Sequence, residues 1–230
     1  MSKYPSTQHL PFSPGLGCDD VIMTDPQSLI DIIADEVIIT EKLDGGNCCI
    51  SNGVVYARTH KHPATHPWFG TIKQMFHLIS ATLEDPTLEL FGENLTAIHS
   101  IEYGNLESYF YLFGVRRMGV WLCWDEVVEI AEYLSIPTVP LRFRGKIKTL
   151  KDLHFLIEQK LMIQHSSVGE SVGPEGFVVR MARSFNNDEF ERCIAKYVRP
   201  NHIQTGDDFS RLWPKNKARL GSPLPIQSID

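Results

Sequence analysis

Apolar residues fall along this chain in short runs with two different periods, and the changes of period mark out its elements. Val37-Ile38-Ile39 is a continuous β-branched run, followed by Cys48-Cys49-Ile50 and Val54-Val55-Tyr56 with Asn52-Gly53 between them. Asn-Gly between two apolar runs is the signature of a two-residue hairpin, whose central residues take positive φ. The pattern from Val37 to Thr59 therefore predicts strand, tight segment, strand, turn, strand, an antiparallel meander with Lys42 at its entrance. From about Phe69 to Leu83, Ile72, Met75, Phe76 and Ile79 recur at helical spacing, and Asp85-Pro86 stops the element because a residue before proline avoids helical backbone. Leu88 to Leu95 and the aromatic-rich Tyr109 to Val115 read as strands. Val127, Val128, Ile130, Ala131 and Leu134 form a helical stripe over Asp125 to Leu134, and Thr149 with Asp152 three residues on starts a helix running to about Met162. Gly176 to Met181 and Arg192 to Val198 are the last strands, separated by a polar loop containing Asn186-Asn187-Asp188. Strands predominate without strict alternation with helices, which predicts an α+β fold with antiparallel sheets.

The 230 residues and 26.1 kDa suit one domain with a substantial core. Residues 1–20, rich in Pro, Ser and Gly, read as an arm lying over the domain; residues 21–200 form the domain; residues 201–230 are a short extension, too small for a further C-terminal domain. The formal net charge of -6 excludes a broad basic surface, so any nucleic-acid contact is expected in a local groove. Five cysteines without a C-x-x-C pair indicate neither a disulfide framework nor a zinc knuckle, and they read as reduced thiols. No apolar run has the length of a membrane span and no secretory leader is apparent, so a soluble, cytoplasmic protein without a membrane partner is expected.

Candidate chemistry concentrates in Glu41-Lys42-Leu43-Asp44-Gly45-Gly46-Asn47. A lysine at the end of a buried strand becomes a nucleophile when desolvation or neighbouring positive charge lowers its pKa, and Lys196, Arg180 and Arg58 at other strand ends are the available cations. The Gly45-Gly46 pair permits close backbone approach by a ligand. A K-x-D-G string alone is also the composition of a surface turn with a solvated lysine. Its companions in order are Phe91-Gly92-Glu93, the aromatic strand Tyr109 to Phe113, Glu175-Gly176-Phe177-Val178-Val179-Arg180 and Ala195-Lys196-Tyr197. His60, His62 and His66 read as a polar loop rather than a zinc site. Arg142 to Lys148 and Arg211 to Arg219 mix basic and aromatic groups, the composition of a surface that could track a strand of RNA and equally of a solvated charged face.

The ordered set from Thr40 to Pro200 resembles the signature of the covalent nucleotidyltransferases, and within them the ATP-dependent RNA ligases similar to phage RNA ligase 2. Glu41-Lys42 followed by Asn47 and then by Ala57-Arg58-Thr59 carries that closer likeness. The resemblance implies that Lys42 attacks the α-phosphate of ATP, releasing pyrophosphate and keeping AMP as lysyl-AMP. It implies Glu41 beside the adenine, Asn47 and Arg58 near the phosphates and the RNA end, Glu93 on the ribose hydroxyls and Phe113 stacked on the purine. It also implies Glu175 with a catalytic Mg2+ or Mn2+, and Lys196 at the α-phosphate; the last motif here has a single lysine where the family pattern has two. The implied partners are RNA ends, with RNA repair as the setting, and a separate RNA-binding or repair partner is expected beside them. A DNA ligase, a GTP-using capping-type transferase and a non-catalytic RNA-end or nucleotide-binding module are the alternatives.

Overall fold

The computed structural model describes residues 3–58, 61–79, 85–169, 171–200, 202 and 214–218. In chain order the described elements are β1 (Gln8–His9), α1 (Pro26–Asp31), β2 (Glu36–Lys42), β3 (Gly46–Ser51), β4 (Val54–Ala57), α2 (Gly70–Ile79), β5 (Leu88–Asn94), β6 (Phe110–Arg117), β7 (Val120–Trp121), α3 (Trp124–Tyr133), β8 (Leu141–Lys146), α4 (Leu150–Leu156), β9 (Gly176–Met181), β10 (Phe185–Asn186), α5 (Phe190–Cys193) and β11 (Ile194–Val198). A π-helical turn, Ile157–Leu161, continues α4. The strands form two sheets, ordered β1-β11-β9-β2-β8 and β10-β7-β6-β5-β3-β4. All strand pairs are antiparallel except β1 with β11. This is the expected α+β architecture with antiparallel sheets.

Alternation of side chains explains the layering. Val37 and Ile39 pack with Phe177, Val179, Ala195 and Tyr197 against Leu153, Ile157 and Leu161 of the α4 region. Ile38, between them, joins a different cluster, so the run is apolar throughout because β2 is buried on both faces. In the second sheet Cys48 and Ile50 face Ile72 and Phe76 of α2 and Val127 and Ala131 of α3. Cys49 faces a third cluster of Phe91, Trp121, Met181, Phe185, Phe190 and Ile194, which draws on strands of both sheets. The Asn52-Gly53 hairpin forms with φ of 48° and 71°. Thr149 caps α4 by accepting from the Asp152 amide at 3.1 Å.

Four differences from the sequence reading have plain causes. β2 does not pair with β3: Leu43 to Gly45 crosses from one sheet to the other, so Lys42 stands at a sheet boundary rather than at the entrance to a meander. The amino-terminal segment is not an overlying arm alone, since Gln8 and His9 pair with Ala195 and Lys196 as a sheet edge. Most of Arg142 to Lys148, whose mix of basic and aromatic groups suggested an RNA-tracking surface, lies in edge strand β8, and its arginines are engaged: Arg144 pairs with Glu36 and Asp125, Arg142 with Glu41. Strand β11 begins at Ile194 because Phe190–Cys193 forms a helical turn.

Thr59, His60, residues 80–84 of the helix expected to reach Leu83, and all of 201–230 except His202 and 214–218 lie outside the described residues, as does most of Arg211 to Arg219. Among the described residues no helix is long and apolar enough to cross a membrane, and the described cysteines are free, with Cys48, Cys49 and Cys193 buried.

Candidate active site

Antiparallel register sets a row of functional side chains along one face of the first sheet. Val178 is the partner of both Thr40 and Lys196, and Lys42 pairs with Gly176. Since Ala195 and Tyr197 point into the α4-side cluster, the alternation sends Lys196 to the opposite face, toward the second sheet. The second sheet answers with Asn47 and Glu93, paired directly across β3 and β5.

Lys42 Nζ donates to Glu175 Oε1 at 2.6 Å, the two groups meeting from positions 133 residues apart. Burial lowers the pKa of Lys42, but the acidic side chains of Glu175, Glu93 and Asp44 outweigh it and the net shift is upward. The expectation of a lysine primed by cationic neighbours is thus corrected: the side chains that act on it are acidic ones. Arg180 donates instead to the Leu122 carbonyl at 2.7 Å and lies against Trp124 and Phe185. Glu175 is raised by its burial, which the Lys42 ammonium opposes. Burial also pushes the Glu93 carboxyl up to about 8, against the pull of Lys42 and with the repulsion of Glu175 and Asp44 added.

Asp44 is pinned from the 100–101 backbone. Its Oδ2 accepts from Ser100 N at 2.7 Å, Ser100 Oγ at 2.7 Å and Ile101 N at 2.9 Å, while its own amide donates to Tyr103 Oη at 2.7 Å. Burial raises its pKa, yet the bonds from His202 and Ser100 prevail and hold the carboxyl well below the usual range. His202 Nε2 lies 3.3 Å from Glu175 Oε1 and 3.7 Å from Asp44 Oδ1. Asp44, Glu175 and His202 place one potential ligand atom each within 4.8 Å of one another. Glu175 Oε2 and His202 Nδ1 are buried without a hydrogen-bond partner. Two carboxylates and an imidazole with spare donor atoms fit a divalent cation.

Glu41, 1% exposed, keeps one oxygen occupied and one open. Oε2 accepts from Arg142 Nη1 at 3.0 Å and from the Ser167 amide at 3.0 Å, whereas Oε1 is buried with no partner. Phe113, half-buried, packs with Val178 on the cluster between the sheets and meets the Tyr4 ring edge-on with centroids 5.1 Å apart. Asn47 is half-buried and its Oδ1 is likewise without a partner. Arg58, directly after β4, is exposed, and its charge pulls the Glu93 pKa down. Lys196 Nζ is taken up by Asp20 Oδ1 at 2.7 Å.

The space beside Gly45 is not open to a ligand as expected. A Cβ there would meet Asn94 O at 2.6 Å and Glu93 Cγ at 3.0 Å, so the glycine admits the protein's own second sheet. At Gly176 the demand is stricter, with Tyr197 O 1.9 Å from the same hypothetical atom. The sequence reading missed Asp20 and His202, which carry no local signal and reach the site only through the fold. Asp44 stood in the motif itself, and the signal that could have found it is the general need of an Asp-Gly turn for backbone donors.

Solved structures similar to this fold include an archaeal ATP-dependent RNA ligase in its form 1 (TM-score 0.59, 16% identity, 86% of this chain and 48% of that one). A mutant of Naegleria gruberi RNA ligase with ATP and Mn gives TM-score 0.54 at 18% identity, covering 86% and 58%. A putative ATP-dependent DNA ligase from Aquifex aeolicus gives 0.51 at 15%, covering 86% and 50%. The chain thus spans about half the length of these proteins. No curated protein matches its sequence. The RNA ligase family itself matches over residues 35–198, from the start of β2 to the end of β11, so the stretch holding Lys42, Glu93, Glu175 and Lys196 identifies the chain as a member of the RNA ligase family.

Proposed function

We propose that the chain is an ATP-dependent RNA ligase of the phage RNA ligase 2 branch, joining 5'-phosphate and 3'-hydroxyl RNA ends through lysyl-AMP and an adenylylated RNA end. The observation that carries this reading is the contact between Lys42 Nζ and Glu175 Oε1 beside Glu93 and Asp44. Lys42 begins as an ammonium held by a carboxylate, so it must lose a proton before it attacks, and Glu175 is the group already in hydrogen-bond contact to accept it. Nζ then forms a bond to the α-phosphorus as the bond to pyrophosphate breaks, and a further proton leaves the nitrogen to give the phosphoramide. AMP next passes to a 5'-phosphate, and a 3'-hydroxyl displaces it.

The remaining residues follow the geometry. Glu41 Oε1 is a fixed acceptor suited to the exocyclic amine of adenine, which guanine lacks at that ring position, and this favours ATP over the GTP of capping-type transferases. Phe113 and Val178 supply the apolar faces for the base, and Asn47 and Arg58 stand toward the phosphates and the RNA end. Glu93, protonated through most of the neutral range, has both donor and acceptor capacity for ribose hydroxyls. Asp44, Glu175 and His202 would hold Mg2+ or Mn2+, which supplies charge neutralisation to phosphoryl transfer. Lys196 adds positive charge for the α-phosphate. A nucleotidyltransferase unit over residues 21–200, a cytoplasmic RNA-repair role and a separate RNA-binding partner belong to the same proposal.

A joining assay tests it. With ATP and Mg2+ the wild-type protein seals 5'-phosphate RNA to a 3'-hydroxyl end, and Lys42→Ala seals only RNA supplied already adenylylated, because that substrate bypasses the lysine. Sealing of nicked DNA in preference to RNA favours the DNA ligase alternative, and failure of the wild-type protein on both preadenylylated and ATP-driven substrates contradicts the proposal.

A further inference from the structure

We infer that Asp20, backed by His9 and Ser13, is the positioning residue for Lys196, delivered by an amino-terminal segment that lies outside the family match. Asp20 Oδ1 accepts from Lys196 Nζ at 2.7 Å across 176 residues of sequence, and both side chains are largely buried. The acid is itself fixed. Its Oδ2 accepts from the Gly17 amide at 2.8 Å and lies 3.1 Å from Nε2 of His9, which is fully buried. Behind the imidazole, Ser13 Oγ is 2.8 Å from His9 Nδ1 and accepts from the Val198 amide at 2.9 Å, so serine, histidine and aspartate form a line that begins and ends on β11.

The backbone ties the same segment down on both sides of the lysine. His9 is the direct parallel partner of Lys196, the Leu10 amide donates to the Lys196 carbonyl at 2.8 Å, and the Gly15 amide donates to the Val198 carbonyl at 3.0 Å. Burial, with the Lys196 and Lys42 ammonium groups adding to it, lowers His9 to about 4 against the opposing charge of Asp20. The imidazole is therefore neutral at physiological pH, so in this line it is Lys196 and not the histidine that meets the carboxylate as a cation. A lysine has four freely rotating bonds and no intrinsic preference for one position of its ammonium, so a fixed, partly desolvated acceptor decides where that charge resides before substrate arrives. Nothing in the run Ala195-Lys196-Tyr197 does this; the acid comes from the chain's other end.

The inference rests on the role of Lys196 at the α-phosphate, and it makes Asp20 act only through that lysine. The test is a double-mutant cycle on single-turnover lysine adenylylation, comparing wild type, Asp20→Asn, Lys196→Ala and the double variant with ATP and Mg2+. Asp20→Asn is expected to slow labelling about tenfold, with the loss in kcat rather than KM, and to cost nothing further once Lys196 is alanine. Asp20→Glu, which keeps the charge on a longer stem, should recover part of the rate, and it carries the test if the asparagine variant does not fold. Equal rates for Asp20→Asn and wild type, or the same fold loss in the Lys196→Ala background, overturn the inference while leaving the ligase reading intact. Absence of labelling in the wild-type protein itself overturns the ligase reading and the role of Lys196 with it.

Discussion

Replacing Arg142 by alanine strands a charge. Glu41 is 1% exposed and the Arg142 side chain 7%, so the pair is withdrawn from water, and the guanidinium also reaches the His165 carbonyl, Ser167 Oγ and Gln164. Removing the cation leaves the Glu41 carboxylate with the Ser167 amide as its one remaining donor among the described contacts. Breaking a buried ion pair in this way costs about 3–5 kcal/mol, several times the worth of an exposed pair, because the surviving charge keeps its desolvation penalty. For a chain of this length that is a fall in Tm of roughly 6–20 °C. Urea unfolding of wild type, Arg142→Ala, Glu41→Gln and the double variant reads it out, and the double variant should regain most of the stability that Arg142→Ala loses, since it carries no stranded charge. An Arg142→Ala midpoint equal to wild type, or a double variant no more stable than Arg142→Ala, refutes the buried-charge reasoning and restores Arg142 as a free basic residue.

Gly176→Ala places a Cβ 1.9 Å from the Tyr197 carbonyl oxygen and 2.9 Å from two further backbone atoms, so β9 and β11 must separate; a loss of about 1–3 kcal/mol or more follows, visible in thermal melts, and an unchanged Tm contradicts it. Glu93 gives a pH signature. Its folded pKa of about 8 exceeds the ordinary 4.5, so between those values the folded state holds the proton more firmly than the unfolded chain, and stability falls as pH rises through that window. Wild type should therefore lose at least about 1 kcal/mol relative to Glu93→Gln between pH 5 and pH 8 in urea titrations, while a constant difference across the range shows that the carboxyl is not held in its neutral form.

The elements with strong local codes were legible in the sequence. Asn52-Gly53 sits at its hairpin, Thr149 at its helix start, and Gly176–Met181 forms the strand expected there. The ordered motifs named Lys42 and Glu175, which the fold brings into contact at 2.6 Å, but not the pairing of β2 with β9 that joins them. What stayed hidden is pairing over long separations. The two-residue strand β1 is too short to show a period, and its value comes from lying beside Lys196. The pKa shift of Lys42 was read with the wrong sign, since counting cations along the sequence could not show that Glu175, Glu93 and Asp44 gather round it and raise it. Arg142 looked like a nucleic-acid contact for the same reason, its acid lying 101 residues away.

The central claim is that Lys42 takes AMP from ATP, and mass spectrometry of the protein after incubation with ATP and Mg2+ tests it most directly. The account predicts a gain of one AMP per chain, mapped by peptide fragmentation to the peptide containing Lys42, reversed by added pyrophosphate, absent from Lys42→Ala and not produced by GTP. An unmodified wild-type mass, or AMP found on another residue, contradicts it.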